Sequence, residues 1–200
     1  MPLDGTAENN PDTAFIHINS EMIDLGVFKY SQDEGRHVGI TQGGLSWVVT
    51  SLTQPANLGG FNIACQDQKH HVIIEIPAAS RLYKKDGKLR VELKTRVGTE
   101  KSRGWDNLKI SAKSDCSPPS CSSALAKQVT LEDFEDDNAG DGWSEFELED
   151  SGIEYFTKFL GRYGEGDNSP KKEFIVPKIA QIVFLEVDFY EIGDWGKYDA

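Results

Sequence analysis

Residues 179–192 read IAQIVFLEVDFYEI. The odd positions Ile179, Val183, Leu185, Val187 and Phe189 are apolar, while the even ones begin apolar at Ala180, Ile182 and Phe184 and turn polar at Glu186, Asp188 and Tyr190. Side chains alternate between the two faces of a strand. One face of this segment therefore belongs in a core. The other runs from buried to acidic and aromatic, as happens where a strand passes under a groove or out into solvent.

The same alternation recurs upstream. In KLRVELKTRV (88–97), Leu89, Val91, Leu93, Thr95 and Val97 face one way, and Lys88, Arg90, Glu92, Lys94 and Arg96 the other. This is the pattern of a half-buried antiparallel strand, and Asp86-Gly87 before it is a hairpin signal. Shorter strands are expected at 15–19, 25–30, 47–52, around Phe61–Cys65, at 72–76, 108–112, 129–134 and 143–148. Residues 31–44, which carry His37, read as a loop, as do the SRGWDN segment (102–107) and the polar 164–172. Phe156, Phe159, Leu160 and Tyr163 share a helical face, so 153–163 reads first as a short helix, while its aromatics and bounding glycines would also suit a strand. Short strands at roughly 8–12-residue spacing with turn signals between them indicate a β-sandwich or barrel. Helical patterns are too few for βαβ units. The expected organisation is an arm (1–13), one β-sandwich domain (14–194) and a tail (195–200).

Composition narrows the function classes. The chain has 200 residues, a net charge of −12 and 38% hydrophobic residues. Such a charge disfavours general nucleic-acid binding, which rests on neutralising phosphates, and disfavours an anionic membrane surface. No apolar run approaches the roughly 18–20 residues that span a bilayer. The charge is uneven: 81–113 holds eleven Lys/Arg and four Asp/Glu, whereas 132–154 holds eleven acids and no base. Two solvated faces account for this; a basic groove for an anionic ligand is the sharper alternative. The polar, acidic start lacks a charged-then-apolar signal pattern, which leaves a cytoplasmic chain and a secreted chain with its signal removed both open. Cys65 has an apolar parity and reads as a buried thiol, while Cys116 and Cys121 flank a Ser-Pro-Pro-Ser turn that can bring them within disulfide distance in an oxidising compartment.

The order of features resembles that of jelly-roll carbohydrate-binding modules and the wider galactose-binding-like sandwiches. Trp143-Ser-Glu-Phe146-Glu-Leu148 resembles their Trp-x-x-Phe-x-Leu strand, Leu89–Val97 after Asp86-Gly87 resembles their central strand, and Val183–Tyr190 resembles their closing strand. The resemblance implies an all-β antiparallel sandwich of jelly-roll type with at most one or two short helices. It implies a last strand that pairs back near the first. It also implies a structural calcium between those strands, for which Glu21, Asp24 and Asp188 are the nearest acids. The same sandwich carries some small-molecule cyclases and lyases, so the likeness speaks to fold more than to chemistry.

Candidate site residues fall into groups. Trp47, Trp105 and Trp143 can offer stacking faces to a sugar; the plainer expectation is that Trp47 and Trp105 serve the core. Arg103, Asp106 and Asn107 flank Trp105 and can donate and accept hydrogen bonds. Glu186 and Asp188 share a strand face about 7 Å apart, with Tyr190 beside them. They suit acid–base work or metal binding, or simply face solvent. His37 is the one histidine expected in a loop free to act. His17 sits between isoleucines, and the adjacent His70 and His71 must point oppositely on a strand. An EF-hand reading of 133–144 fails, since Asn138 and Ser144 occupy the glycine and glutamate positions. There is no G-x-S-x-G, phosphate-binding glycine loop or HExxH.

The first expectation is thus a ligand-binding sandwich for a carbohydrate or similar small polar molecule, using Trp47, Arg103, Trp105, Asp106, Asn107, Trp143 and Tyr190. No cofactor is required beyond a possible structural calcium. The second is a cyclase or lyase for a hydrophobic small molecule, with His37, Glu186 and Asp188 directing protons and an apolar interior pocket. A structural domain that pairs through a sheet edge is a third.

Overall fold

A computed structural model describes residues 13–27, 36–52, 68–96, 101–114, 126–136, 140–145, 147–153, 156–164 and 169–193. Its strands are β1 (Thr13–Ile18), β2 (Glu21–Val27), β3 (Arg36–Ile40), β4 (Ser46–Leu52), β5 (Gln68–Pro77), β6 (Lys88–Arg96), β7 (Lys101–Lys113), β8 (Lys127–Glu132), β9 (Leu148–Ile153), β10 (Phe156–Tyr163), β11 (Lys171–Ile175) and β12 (Ile182–Gly193). A single 3-10 turn, Ala78–Ser80, is the only helical element among the described residues. The arm before Thr13, the strand expected around Phe61–Cys65, Cys116, Cys121 and Trp195 lie outside them.

The fold is an all-β antiparallel sandwich. Its smaller sheet has the order β11-β6-β1-β2, and its larger sheet the order β3-β4-β5-β12-β7-β10-β9 with β8 also on β7. The alternation of 179–192 determines what lies between them. Val183, Leu185, Val187 and Phe189 of β12 are fully buried, and so are Leu89, Val91 and Leu93 of β6 in the facing sheet. β12 sits inside the larger sheet, paired to β5 on one side and β7 on the other. Its even-numbered side chains consequently project from the outer face of a sheet, flanked by side chains from both neighbours.

Several expectations are corrected. The last strand does not return to the first: β1 pairs with β2 and β6 in the other sheet. Residues 156–163 form strand β10 rather than a helix. An irregularity after Gly161, beyond which Tyr163 pairs with Arg103, puts Leu160 and Tyr163 in the same core although they are three positions apart. The segment bearing His37 is edge strand β3, and strand β11 (Lys171–Ile175) begins within the last two residues of the expected 164–172 loop. Trp143 precedes β9, in a turn where its N–H donates to the Gly140 carbonyl at 3.0 Å.

The largest correction is at SRGWDN, which lies inside β7. The outer edge of this thirteen-residue strand is shared between two partners. β10 pairs with Arg103–Trp105 and β8 with Leu108–Ala112, so Asp106 and Asn107 fall in the gap. Turn-forming residues there mark a β-bulge rather than a loop.

Candidate functional site

On its inner edge β7 pairs Lys109 with Glu186 and Asp106 with Asp188, leaving Asn107 and Leu108 opposite Val187 alone. This extra residue is the bulge, and Asn107 takes a left-handed φ of 49° to form it. Asparagine tolerates that region better than most side chains. The consequence is positional. Residues three apart on a regular strand face opposite ways, but the bulge puts Asp106 and Lys109 on the same outer face. Asp106 is thereby brought beside Asp188.

The two carboxylates are both nearly buried, 6% exposed for Asp106 and 5% for Asp188, and their surroundings differ. Asp188 accepts from three groups: His71 Nδ1 at 2.8 Å, Lys69 Nζ at 2.6 Å and Asn107 Nδ2 at 2.9 Å. Burial works to raise its pKa, but the hydrogen bonds from His71, Lys69 and Asn107 and the lysine charge outweigh burial and hold Asp188 below the usual carboxylate range. Asp106 is held by neutral donors instead. It accepts from the Asn107 backbone N–H at 2.7 Å, from Asn107 Nδ2 at 3.0 Å and from the Tyr190 hydroxyl at 3.2 Å. Burial dominates there and pushes Asp106 up to about 7, against the lowering effect of the Asn107 and Tyr190 hydrogen bonds.

Their neighbours complete a patch drawn from β5, β7 and β12. The hydrogen bond to Asp188 raises the pKa of His71, against the opposing effect of burial. Its ring is bound through Nδ1, and its side chain is 35% exposed. Tyr190 is buried with Phe159 and Ile192 in a small apolar cluster on this outer face. That burial raises its hydroxyl pKa far above the ordinary value. Gly104 opposite Tyr190 makes room, since a Cβ there would run into the Phe159 ring. Lys69 Nζ lies 5.5 Å from the Tyr190 ring centre. Glu186, two residues along, pairs with Lys109 at 3.0 Å.

Of the residues singled out in the sequence, Asp106, Asn107, Glu186, Asp188 and Tyr190 share this face. The others do not join them. Trp105 is fully buried on the inner face against Phe189, 4.7 Å between ring centres. Arg103, also fully buried, donates to the Gly164 carbonyl at 3.1 Å. Trp143 packs between Phe134 and Phe174. Trp47 is partly buried against the core, with Gly39 of the edge strand beneath its ring. Trp105 and Trp143 are thus spent on the core, while Trp47 is only partly buried. His37 is exposed on β3, separated from β12 by β4 and β5. Glu21 and Asp24 lie on β2 in the smaller sheet, whereas Asp188 belongs to the larger one. Glu21 accepts from Gly43 N–H and Asp24 from Gly26 N–H. Among the described residues no group of three or more histidine, cysteine or acidic side chains is arranged to hold a metal ion.

Lys69 and His71 are the members that sequence patterning missed. Their partner lies more than a hundred positions away: His71 and Asp188 are 117 residues apart. The parity of β5, with Val72, Ile74 and Ile76 inward, does put Lys69 and His71 outward, but only the pairing of β5 with β12 shows what they meet. The chain matches no known family model, and comparison with curated proteins and with solved structures gives no match either.

Proposed function

We propose that the outer face of the larger sheet, at the β7 bulge, binds a small polar ligand rich in hydroxyl groups, of the kind a carbohydrate presents. The observation that carries this reading is the convergence of Lys69, His71, Asp106, Asn107 and Asp188 on one patch, at a bulge that breaks strand pairing to create it. Carboxylates accept from hydroxyls, while Asn107, Lys69 and His71 donate to them. Val38, Val48 and Ile73 stand in register on the same face, next to His71 along β5. Val38 and Ile73 are exposed, and this row takes the place of the tryptophans as a contact for the C–H face of a sugar.

Titration with a panel of mono- and oligosaccharides, followed by amide NMR, tests the reading. Shifts should concentrate in 69–73, 104–109 and 186–190. Lys69→Ala should weaken binding by about tenfold to a hundredfold, the range for a lost hydrogen bond from a charged group. If no saccharide at millimolar concentration moves these amides in the folded protein, the reading is wrong.

A second reading, proton transfer to a bound small molecule as in a cyclase or lyase, is favoured by one feature: adjacent carboxyls whose environments set their affinities for protons far apart. Asp106 would serve as the acid and His71, oriented by Asp188, as the base. Under this reading Asp106→Asn retains binding and abolishes turnover.

A further inference from the structure

We propose that the ligand of the outer face is an acidic oligosaccharide, laid across the strands from the β7 bulge to the sheet edge, with a sugar carboxylate held by Arg36. This rests on the saccharide reading of that face and names the class of sugar. Arg36 opens edge strand β3 and is exposed. It pairs with Thr50 of β4, Thr50 with His71 of β5, and His71 with Asp188 of β12. Directly opposite residues on neighbouring strands share a face. Arg36, the exposed Thr50 and His71 therefore form one polar row that ends at Asp188.

Two positions along the same three strands, Val38, Val48 and Ile73 form an apolar row beside it. At strand rise the two rows lie about 7 Å apart. A chain of sugar rings laid over both rests its C–H faces on one row and turns its polar edge to the other. Strand spacing puts the Arg36 backbone roughly 14 Å from that of Asp188. One ring at the bulge does not cover that distance, so the ligand that uses the whole row has several.

Charge separates the two ends of the row. At the bulge the cations are engaged: Lys69 Nζ lies 2.6 Å and His71 Nδ1 2.8 Å from Asp188, and Lys109 Nζ lies 3.0 Å from Glu186. The acids there repel a ligand carboxylate. Arg36 has no hydrogen-bond or ion-pair partner for its side chain among the described residues. Glu75, an acid of β5 on this face, is two strands across and four residues along, roughly 16 Å from Arg36 between backbones. A guanidinium is a planar fork that holds a carboxylate through two parallel hydrogen bonds, a match no sugar hydroxyl reproduces. The chain's net charge of −12 opposes an anionic ligand overall, so a preference for one has to come from a local cation.

Calorimetric titration of the full chain with an oligogalacturonate, and with the same oligomer methyl-esterified on its carboxyls, tests this. At about 0.15 M salt, charges farther apart than about 8 Å are screened, so the comparison reports local contacts. The free acid should bind at least about tenfold more tightly than the ester, and Arg36→Gln should remove that preference, as the loss of charge-assisted hydrogen bonds would. Arg90→Gln takes an exposed cation from the smaller sheet and should keep the preference. Binding of the ester as tight as that of the acid overturns the proposal and leaves the saccharide reading standing. A preference that survives Arg36→Gln, or that Arg90→Gln removes equally, does the same. If neither form binds the folded chain the proposal is overturned too, and the titration with the saccharide panel decides whether the broader reading falls with it.

Discussion

Replacing Asp106 with asparagine should flatten a fall in stability that the wild-type protein shows between about pH 4 and pH 7. In the folded chain burial pushes Asp106 up to about 7, whereas in the unfolded chain it returns to its ordinary value of 3.8. Below 3.8 both states hold the proton. As the pH rises the unfolded state ionises first, so stability present in acid is lost progressively until the folded carboxyl also ionises near 7. The two values set a ceiling of about 4 kcal/mol on the loss. The asparagine side chain keeps an acceptor for the Asn107 backbone N–H and has no charge to bury. The stability difference between wild type and Asp106→Asn, from urea denaturation at each pH, should therefore swing towards the variant by up to about 4 kcal/mol across this window. A pH-independent difference would mean that Asp106 is not held in this environment.

The neighbours do not mimic this behaviour, because the comparison is between two proteins that share them. His71 is raised above 6.5, so its contribution is fully present below that pH and disappears as pH rises through its folded value. Asp188 is lowered below 3.8; its contribution is present above that pH and lost as pH falls through its folded value. Both appear in wild type and variant alike.

Phe189→Ala should cost about 3–5 kcal/mol, the range for removing a buried phenylalanine ring from a core that closes only partly around the gap. The ring is fully buried, with Trp105 packed on one side and His70 stacked on the other. Phe184, earlier on the same strand, offers the contrast. It faces outward, partly exposed, with Lys113 Nζ 5.3 Å from its ring centre. Phe184→Ala should cost about 1 kcal/mol, as a cation–π contact at a partly exposed position would. Guanidinium denaturation of the pair tests the alternation directly; similar costs for both would contradict it.

That alternation is the part of the fold most legible in the chain. Val183 to Phe189 and Leu89 to Leu93 each announce one buried face, because a period of two survives whatever the neighbouring strands do. Local turn chemistry is less reliable. Gly104, Asp106 and Asn107 read as a loop around Trp105, because the same residues build loops and bulges. Only the gap between β10 and β8 along β7 distinguishes the two, and strand pairing is not written locally. The site is half legible for the same reason. Glu186, Asp188 and Tyr190 share a parity within one strand and can be grouped, whereas Asp106 joins them only through the bulge. His71 joins them only through β5. The adjacent histidines point to opposite faces, as their spacing requires, but nothing near them in the chain names Asp188 as the partner of His71.

The chemistry of the outer face depends on Asp106 and Asp188 lying side by side, one buried among neutral donors and the other held by Lys69 and His71. Carbon-detected NMR titration of the aspartate side-chain carboxyls measures this most directly. One carboxyl should titrate near 7 and vanish from the spectrum of Asp106→Asn, while that of Asp188 stays ionised to below its ordinary value. If every aspartate instead titrates close to the ordinary value of 3.8, the two carboxylates are not placed as described.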